Sequence, residues 1–403
     1  MPPDGEPAPA DGRLPPAALD ALGTHAFGFY VHVPFCATRC GYCDFNTYTT
    51  AELGPGVSRE RYASLAIDEV RLARRVLGAA APPVSTVFFG GGTPTLLPAA
   101  DLAAILRAID GEFGLAADAE VTTEANPESV DQAMLAELRA SGFTRISLGM
   151  QSSVGHVLSV LDRSHSAGRP EQCVAWARAA GFSHVSLDLI YGTPGESDDD
   201  WLTSVRSALA AGPDHISAYA LIVENGTRLA ARIKRGELAP PDDDEMADRY
   251  LAADQLFSAA GLSWYEVSNW AAGPDSPCRH NVLYWTGGDW WGVGPGAHSH
   301  VGGTRWWNVR HPAAYAGRIS AGHSPGQGRE MLTSGERRTE RIMLATRLAS
   351  GCPLDDLSAA GLRAAAQAVA DGLASAADLD AGRVVLTTRG RLLADAVIRD
   401  LTD

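Results

Sequence analysis

Short β-rich runs alternate with alanine-rich helical segments from residue 28 to residue 221. The strand candidates are Gly28–Val33, Ser85–Phe89, Glu120–Glu124, Arg145–Leu148, His184–Ile190 and His215–Leu221. The helical patterns between them are Arg59–Leu77, Ala99–Phe113, Ser129–Ala140, Pro170–Ala180 and Asp198–Ala211. Strands that alternate with helices form βαβ units and a parallel sheet. The sequence therefore predicts an α/β fold, a partial (β/α)6 barrel rather than a doubly wound sheet.

Polar or glycine-rich motifs directly follow five of these strands. A cysteine-rich loop follows the first strand, and Gly90–Thr95 follows the second. The motifs after the next three strands begin at Glu124, Gly149 and Tyr191. In a β/α barrel, active sites form from the loops at the carboxyl ends of the strands. The pattern therefore predicts one site assembled from several strand ends.

The rest of the chain divides into segments of different character. Residues 1–26 are rich in Pro, Ala, Asp and Gly and are predicted to be a disordered tail before the barrel, which spans residues 27–262. Residues 263–328 are aromatic and glycine-rich. Residues 329–403 are predicted to form a small C-terminal helical domain, winged-helix-like, with a strand pair around Val384–Arg389.

Composition and charge exclude several classes of function. A net charge of −15 argues against a protein that binds nucleic acid by neutralising phosphates. No run of about 18 apolar residues is present that could span a bilayer, and the N-terminus lacks the pattern of a secretory signal. Six cysteines, three of them clustered, do not form a disulfide framework in a chain of 403 residues. We therefore expect a cytoplasmic protein, with peripheral contact to a membrane.

Three cysteines, Cys36, Cys40 and Cys43, lie within eight residues directly after the first strand, in the spacing C-x3-C-x2-C. Three thiolates on one loop can hold three irons of a [4Fe–4S] cluster, whereas a closed cluster has a fourth cysteine. The next cysteine is Cys173, so one iron would be open to a small molecule. A zinc site is the alternative, but zinc usually takes four ligands and no second C-x2-C knuckle is present.

This loop and two nearby motifs resemble the radical S-adenosylmethionine (SAM) enzymes. The cysteine spacing, with Tyr42 before the last cysteine, matches the family hallmark. Tyr30–Cys36 and Gly90–Thr95 resemble the oxygen-independent coproporphyrinogen III oxidase-like group, over most of the chain from about Phe27 onward. The resemblance implies a [4Fe–4S] cluster, SAM on its open iron and an electron donor for the cluster. Reduction then cleaves SAM to methionine and a 5′-deoxyadenosyl radical, and the protein orients and shields these cofactors.

The resemblance also implies a set of residues around SAM. In this sequence they are Tyr30, Tyr42, Asp44, Gly91, Gly92, Thr93, Glu124, Gln151, Arg163 and Asp188. Glycine lets the backbone approach a ligand closely, and a carboxylate such as Glu124 can bind ribose hydroxyls or an ammonium group through strong hydrogen bonds. Taken without the resemblance, the glycines are consistent with a tight βα turn and Glu124 with a solvated strand end.

Two departures separate this chain from true coproporphyrinogen III dehydrogenases. Those enzymes place another cysteine two residues after the third cluster cysteine, whereas Asp44, Phe45 and Asn46 follow Cys43 here. They also carry a longer N-terminal element that closes over the substrate. Both departures argue against decarboxylation of a porphyrinogen.

The segment His280-Asn281-Val-Leu-Tyr284-Trp285 resembles the haem-binding motif proposed for the HemW haem chaperones. The resemblance implies that His280 gives an axial imidazole to haem iron and that Tyr284 and Trp285 pack on the macrocycle, with Asn281 in the same motif. The alternative is a structural His–Asn turn with core aromatics.

The function expected from these motifs is that of a haem chaperone. Such a protein binds haem, a [4Fe–4S] cluster and SAM, and transfers haem to acceptor proteins, respiratory proteins at the membrane among them. The alternative is an oxygen-independent coproporphyrinogen III dehydrogenase, an oxidoreductase that converts propionates to vinyl groups in haem biosynthesis. Whether the chain is an enzyme stays open at this point, because both functions use the same cluster and SAM site.

Overall fold

The computed structural model describes residues 5–49, 51–53, 59–79, 81–163, 166 and 168–402. The strands are β1 Glu6–Pro7, β2 Phe27–Val33, β3 Val84–Gly91, β4 Leu115–Ala125, β5 Arg145–Gln151, β6 His184–Tyr191, β7 His215–Ala220, β8 Ser263–Glu266, β9 Asn269–Ala271, β10 Asp289–Val293, β11 His298–Val301, β12 Thr304–Asn308, β13 Gly326–Met331, β14 Cys352–Pro353 and β15 Arg383–Val384. The helices are α1 Pro16–Asp20, α2 Arg59–Leu77, α3 Ala99–Phe113, α4 Gln132–Ala140, α5 Gly155–Val160, α6 Arg169–Ala180, α7 Asp198–Ala210, α8 Arg228–Lys234, α9 Asp243–Ala259, α10 Arg279–Trp285, α11 Pro312–Ser320, α12 Ser334–Ala345, α13 Ala359–Ala370, α14 Ala376–Asp380, α15 Thr388–Leu392 and α16 Ala394–Thr402.

Six strands, β2 to β7, lie side by side in chain order and are all parallel. Helices connect them and cover the sheet, so that strands such as β2 are buried on both faces and consist almost wholly of apolar residues. This arrangement confirms the predicted α/β fold with a partial (β/α)6 barrel. It also places the carboxyl ends of the six strands, and the motifs that follow them, along one edge.

The sheet continues beyond the barrel strands at both ends. Next to β7 lie β9 and β8, which are antiparallel. Next to β2 lies β10, which is parallel to β2, and β11, β12 and β13 follow as antiparallel neighbours. The aromatic, glycine-rich residues 263–328 therefore extend the barrel sheet and cover the amino-terminal strand of the barrel.

The predicted disordered tail is wrong for the part of it that the structure describes, residues 5–26. Strand β1 pairs with β13, and Glu6 forms an ion pair of 2.6 Å with Arg329. Leu14 and Ala18 are buried in the main core. Backbone pairing at a sheet edge needs no hydrophobic periodicity, so the composition did not reveal it. Residues 1–4 of the predicted tail lie outside the described residues.

The C-terminal helices α12, α13 and α16 enclose a separate hydrophobic core that runs from Ile342 to Leu401. The predicted strand pair around Val384–Arg389 is wrong in detail, because β15 pairs with the distant β14 and α15 begins at Thr388. This unit is tied to the barrel by Arg391, whose guanidinium donates two hydrogen bonds of 2.9 Å to Asp254 on α9. Residue 403 lies outside the described residues.

Candidate functional site

The three clustered cysteines lie on one loop between β2 and α2, and all three are unpaired and half-buried. The loop is anchored by the backbone: Cys36 N–H donates to the Tyr48 carbonyl at 3.0 Å, and Gly41 N–H donates to the Leu161 carbonyl at 3.0 Å. Burial, with a smaller contribution from the two neighbouring thiols, raises the pKa of Cys43 to about 11. The three sulfurs are thus close enough to repel one another as thiolates, which a bound iron cluster would relieve.

Arg163 connects this loop to the end of β5. Its Nη1 lies 3.6 Å from the sulfur of Cys40, and its Nη2 donates to the Gly149 carbonyl at 2.8 Å. Its Nε is buried and has no hydrogen-bond partner among the described residues. A guanidinium beside a cysteine sulfur favours the thiolate, which is the form that binds iron.

Two glycines at the end of β3, Gly91 and Gly92, pack against the chain that leads into the cysteine loop without side chains between them. Gly91 has a φ of 106°, and a Cβ there would lie 2.6 Å from the His32 ring. A Cβ on Gly92 would collide with the carbonyl oxygen of Phe35, next to Cys36. Backbone hydrogen bonds of 2.8 and 2.7 Å run from Gly92 to Val33 and from Thr93 to Phe35. Only glycine permits this close approach, which leaves bare backbone beside the cysteines.

Two carboxyl groups, Glu124 at the end of β4 and Asp188 on β6, form an acidic pair near the glycine loop. Glu124 accepts a hydrogen bond of 3.2 Å from Gly91 N–H, and the hydroxyl of Ser147 lies 2.9 Å from each oxygen of Asp188. Burial and then the charge of Asp188 raise the pKa of Glu124 to about 8, and burial raises that of Asp188. A bound cation would stabilise both carboxylates.

The other SAM-site residues predicted from the resemblance lie around this centre. Gln151, at the end of β5, has a φ of 64°, an uncommon conformation for a residue other than glycine. The hydroxyl of Tyr30 on β2 lies 3.0 Å from Nδ1 of His32. Tyr42 packs in an apolar cluster with Leu161. Asp44 is exposed just past the last cysteine.

The residues present fit the cofactors of a radical SAM protein. Three half-buried thiols share one loop, Nη1 of Arg163 lies 3.6 Å from the sulfur of Cys40 while its buried Nε has no partner among the described residues, and Gly91 and Gly92 have no room for side chains. The sulfonium and ammonium groups of SAM are cations, and carboxylates such as Glu124 and Asp188 can bind a cation through strong hydrogen bonds. The donor set is therefore suited to a [4Fe–4S] cluster with SAM beside it.

His280 of the predicted haem motif is a buried structural residue. It is 1% exposed, and its ring stacks on Phe88 with centroids 5.2 Å apart. Its Nδ1 lies 2.9 Å from the hydroxyl of Thr86, and its Nε2 lies 2.8 Å from the hydroxyl of Tyr284. Both ring nitrogens have hydrogen-bond partners in this structure, so His280 could bind haem iron only if one of these hydrogen bonds broke. Burial lowers its pKa to about 3 and keeps the ring neutral.

The other members of the haem motif divide between two environments. Tyr284 lines a cavity of about 900 Å³ that lies beside the cysteine loop. The half-buried Trp285 instead donates to the carboxyl of Glu266, and Asn281 is half-buried on α10; neither lines the cavity. Of the four predicted haem-binding residues, only Tyr284 therefore reaches this cavity.

The cavity is rich in aromatic and polar side chains. Its lining includes Tyr30, His32, Asp44, Phe45, Asn46, Tyr284, Trp290, His298, Trp307, Asn308 and Arg310. His298 and Arg310 were not singled out as site residues from the sequence. The sequence feature that could have pointed to His298 was the glycine-rich run Gly294-Pro-Gly-Ala-His298, because glycine lets the backbone approach a ligand closely. The volume is that of a ligand pocket, which spans roughly 300–1,000 Å³.

None of the helices described in the structure is long and apolar enough to cross a membrane.

Comparison with known proteins gives concordant results. Residues 30–208 match the radical SAM superfamily. The chain is 56% identical, over 96% of its length and 99% of the relative, to the protein named heme chaperone HemW of Mycobacterium tuberculosis. It is 35% identical to heme chaperone HemW of Escherichia coli, over 72% of this chain and 71% of that protein. It is 39% identical to the mitochondrial radical S-adenosyl methionine domain-containing protein 1 of Mus musculus, over 70% of this chain and 62% of that protein.

Among solved structures, the coproporphyrinogen III oxidase HemN of Escherichia coli superposes with a TM-score of 0.81. The alignment covers 98% of this chain and 94% of that chain, at 22% sequence identity, which shows a shared fold. The relative from Mycobacterium tuberculosis is aligned over almost the full length of this chain, and the radical SAM match spans the cysteine loop, the Gly91–Gly92 turn, Glu124 and Asp188. The chain therefore belongs to the radical SAM superfamily and, within it, to the HemW family of haem chaperones.

Proposed function

We propose that this protein binds haem in the cavity beside its SAM-carrying cluster and transfers the haem to acceptor proteins. One observation carries the proposal. Asp44, Phe45 and Asn46, the residues that directly follow the last cluster cysteine, also line the aromatic cavity. A flat apolar ligand in this cavity would lie in contact with the cluster loop. The names of the relatives, heme chaperone HemW, support haem as that ligand.

The cluster end of the site is assigned to the residues around the cysteine loop. Cys36, Cys40 and Cys43 would hold the iron, and Arg163 would stabilise the sulfur of Cys40. A cluster held there, once reduced by an external donor, would supply the electron for cleavage of SAM. Glu124 and Asp188 would hold the cationic end of SAM.

The remaining residues of the set predicted from the resemblance are assigned to the rim of the SAM site. Gly91, Gly92 and Thr93 would offer backbone to SAM, and Tyr30, Tyr42, Asp44 and Gln151 would complete its surroundings.

The haem end of the site is assigned to the aromatic wall. Tyr284, Trp290 and Trp307 could pack against a macrocycle, as large flat apolar rings do. His280 would act behind this wall by holding the hydroxyl of Tyr284. We place the protein in the cytoplasm, with haem acceptors there or at the membrane surface.

Hemin titration of the anaerobically purified, cluster-loaded protein tests the proposal. Saturable binding of one hemin per chain, followed by transfer to an apo haem protein faster than hemin release into buffer, is the expected result. Binding that never saturates would contradict it.

Turnover of coproporphyrinogen III separates the chaperone from the dehydrogenase. With SAM and a low-potential reductant, the protein should form no protoporphyrinogen, because its sequence departs from the true dehydrogenases directly after Cys43. Coproporphyrinogen III dehydrogenase assayed alongside is the positive control. Product formation at a comparable rate would replace the proposed function with the dehydrogenase.

A further inference from the structure

The cavity contains one histidine whose ring is unoccupied. His298 is exposed at the start of β11, and neither of its ring nitrogens has a hydrogen-bond partner among the described residues. The other histidine in the lining, His32, has Nδ1 at 3.0 Å from the Tyr30 hydroxyl and Nε2 at 2.9 Å from the Asn46 carbonyl. His280, behind the wall, is occupied at both nitrogens. Of these three imidazoles, only that of His298 is free to bind a metal.

The ring of His298 is held in place although its nitrogens are free. Strands β11 and β12 pair His298 with Trp307, and the two rings stack with centroids 6.0 Å apart and an interplanar angle of 28°. The backbone is fixed as well, since the indole of Trp290 donates to the His298 carbonyl at 3.0 Å. An imidazole oriented by an aromatic neighbour is prepared to bind a metal without a large loss of conformational entropy.

Charge around His298 favours the neutral ring. Partial burial, followed by the nearby guanidinium groups of Arg310 and Arg305, lowers its pKa below the ordinary value of a histidine. Neutral imidazole is the form that binds haem iron. Arg305 is paired with Glu330 and Glu340, so Arg310 is the guanidinium near His298 that is not held in an ion pair with them.

Arg310 is the only arginine or lysine among the described residues that line the cavity. It is exposed, and the hydrogen bond from its Nε to Oδ1 of Asn46 is long at 3.5 Å. Most of its donors are therefore free for another carboxylate. The carboxylate of Glu6 in the lining is paired with Arg329, at 2.6 Å, rather than with Arg310. A guanidinium pairs well with a carboxylate such as a haem propionate.

We propose that haem docks in this cavity with its iron bound by His298 and a propionate paired with Arg310. The proposal rests on the haem-binding function proposed above and assigns the iron ligand to a residue outside the predicted haem motif. Tyr284, Trp290 and Trp307 would flank the macrocycle between these two contacts.

Hemin titration of the full-length, cluster-loaded protein tests the iron ligand. His298→Ala should remove the spectroscopic signature of imidazole ligation and raise the Kd for hemin about tenfold or more. His298→Gly should recover the signature when free imidazole is added, which a purely structural role would not allow. His323→Ala is the matched control, since His323 is exposed and outside the cavity. Iron content and circular dichroism establish that each variant is folded.

The outcomes distinguish this inference from the proposed function. If wild-type protein fails to bind hemin saturably, the haem-binding function fails and the inference falls with it. If wild type binds hemin but His298→Ala keeps the imidazole signature, the inference alone is overturned. Loss of the signature in His280→Ala, with retention in His298→Ala, would assign the iron to His280.

The propionate contact has its own test. Arg310→Ala should lower the affinity for hemin about tenfold. It should leave binding of the dimethyl ester of hemin unchanged, because the ester has no propionate charge. Arg310→Lys should lose only part of the affinity, since lysine keeps the charge without the planar fork. An equal loss of affinity for hemin and for its dimethyl ester would show that Arg310 does not pair with a propionate.

Discussion

Nε2 of His280 lies 2.8 Å from the hydroxyl oxygen of Tyr284, four residues further along α10. Residues at this spacing face each other on a helix, so α10 itself brings the pair together. Thr86 on β3 holds the other nitrogen of the ring. The histidine of the H-N-x-x-Y-W motif thus links the barrel sheet to the tyrosine that lines the cavity. Its position explains why a histidine is needed there even without a metal.

Replacing His280 by Ala should destabilise the protein. The change leaves the buried hydroxyls of Thr86 and Tyr284 without their partner, and each unsatisfied group costs about 1–3 kcal/mol. The expected result is a lower melting temperature in calorimetry or dye-based unfolding. Tyr284→Phe, which keeps the ring and loses one hydrogen bond, should give a smaller decrease, and the exposed His323→Ala should give none. A His280→Ala protein as stable as wild type would disprove the linking role.

His280 also predicts a pH dependence of stability. Its pKa in the folded protein is lowered from 6.5 to about 3, so below pH 6.5 the unfolded chain binds a proton that the folded chain excludes. Its contribution to stability is therefore full above pH 6.5 and is lost as the pH falls toward 3. The difference in melting temperature between wild type and His280→Gln should shrink over this range. A difference that stays constant with pH would contradict the assignment.

Serine replacement of Cys36, Cys40 or Cys43 should abolish the brown iron–sulfur chromophore, because a cluster bound by three thiolates cannot lose one without weakening. Iron analysis and absorption spectra measure this after anaerobic reconstitution. Cys173→Ser is the matched control, since Cys173 is buried on α6, away from the loop. Wild type and the control should both hold about four irons. Full iron retention in any of the three loop variants would refute this ligand set.

Glu124→Gln should weaken SAM binding and raise the melting temperature of the SAM-free protein. With its pKa raised from 4.5 to about 8, the Glu124 carboxyl lowers stability as the pH rises through this range, and Gln removes that effect. Without SAM, the variant should therefore melt higher than wild type near pH 8, with the difference gone below pH 4.5. Its affinity for SAM should fall about tenfold to a hundredfold in equilibrium dialysis. Glu137→Gln, on the exposed face of α4, should change neither property.

Arg163→Met should make the reduction potential of the cluster more negative. The guanidinium of wild type donates to the sulfur of Cys40 at 3.6 Å, and hydrogen bonds to cluster sulfurs raise the potential by stabilising the reduced, more negative form. Redox titration followed by electron paramagnetic resonance measures the change. Arg163→Lys should shift the potential less because it keeps the charge. An unchanged potential in a variant with full iron content would show that Arg163 does not act on the cluster.

The barrel and its cluster loop were predictable because their signals are local. Strand and helix periods determine elements such as α2 and β6, and the three cysteines lie within one loop, so their proximity needs no long-range folding. The haem end was not predictable in this way. His298 and Arg310 become neighbours of Asn46 only when β10 and β11 add to the edge of the sheet beside β2.

The sequence by itself indicated the cluster loop, because Cys36, Cys40 and Cys43 are close neighbours along the chain and lie on one loop between β2 and α2. Only the tertiary structure decided which histidine ring has hydrogen-bond partners at both nitrogens. His280 and His298 are both single histidines beside aromatic residues in the sequence. Burial against β3 gives the first two hydrogen-bond partners, whereas position on the cavity wall leaves the second none. Partners contributed by distant strands cannot be read from a local motif, and they determine whether an imidazole can bind a metal.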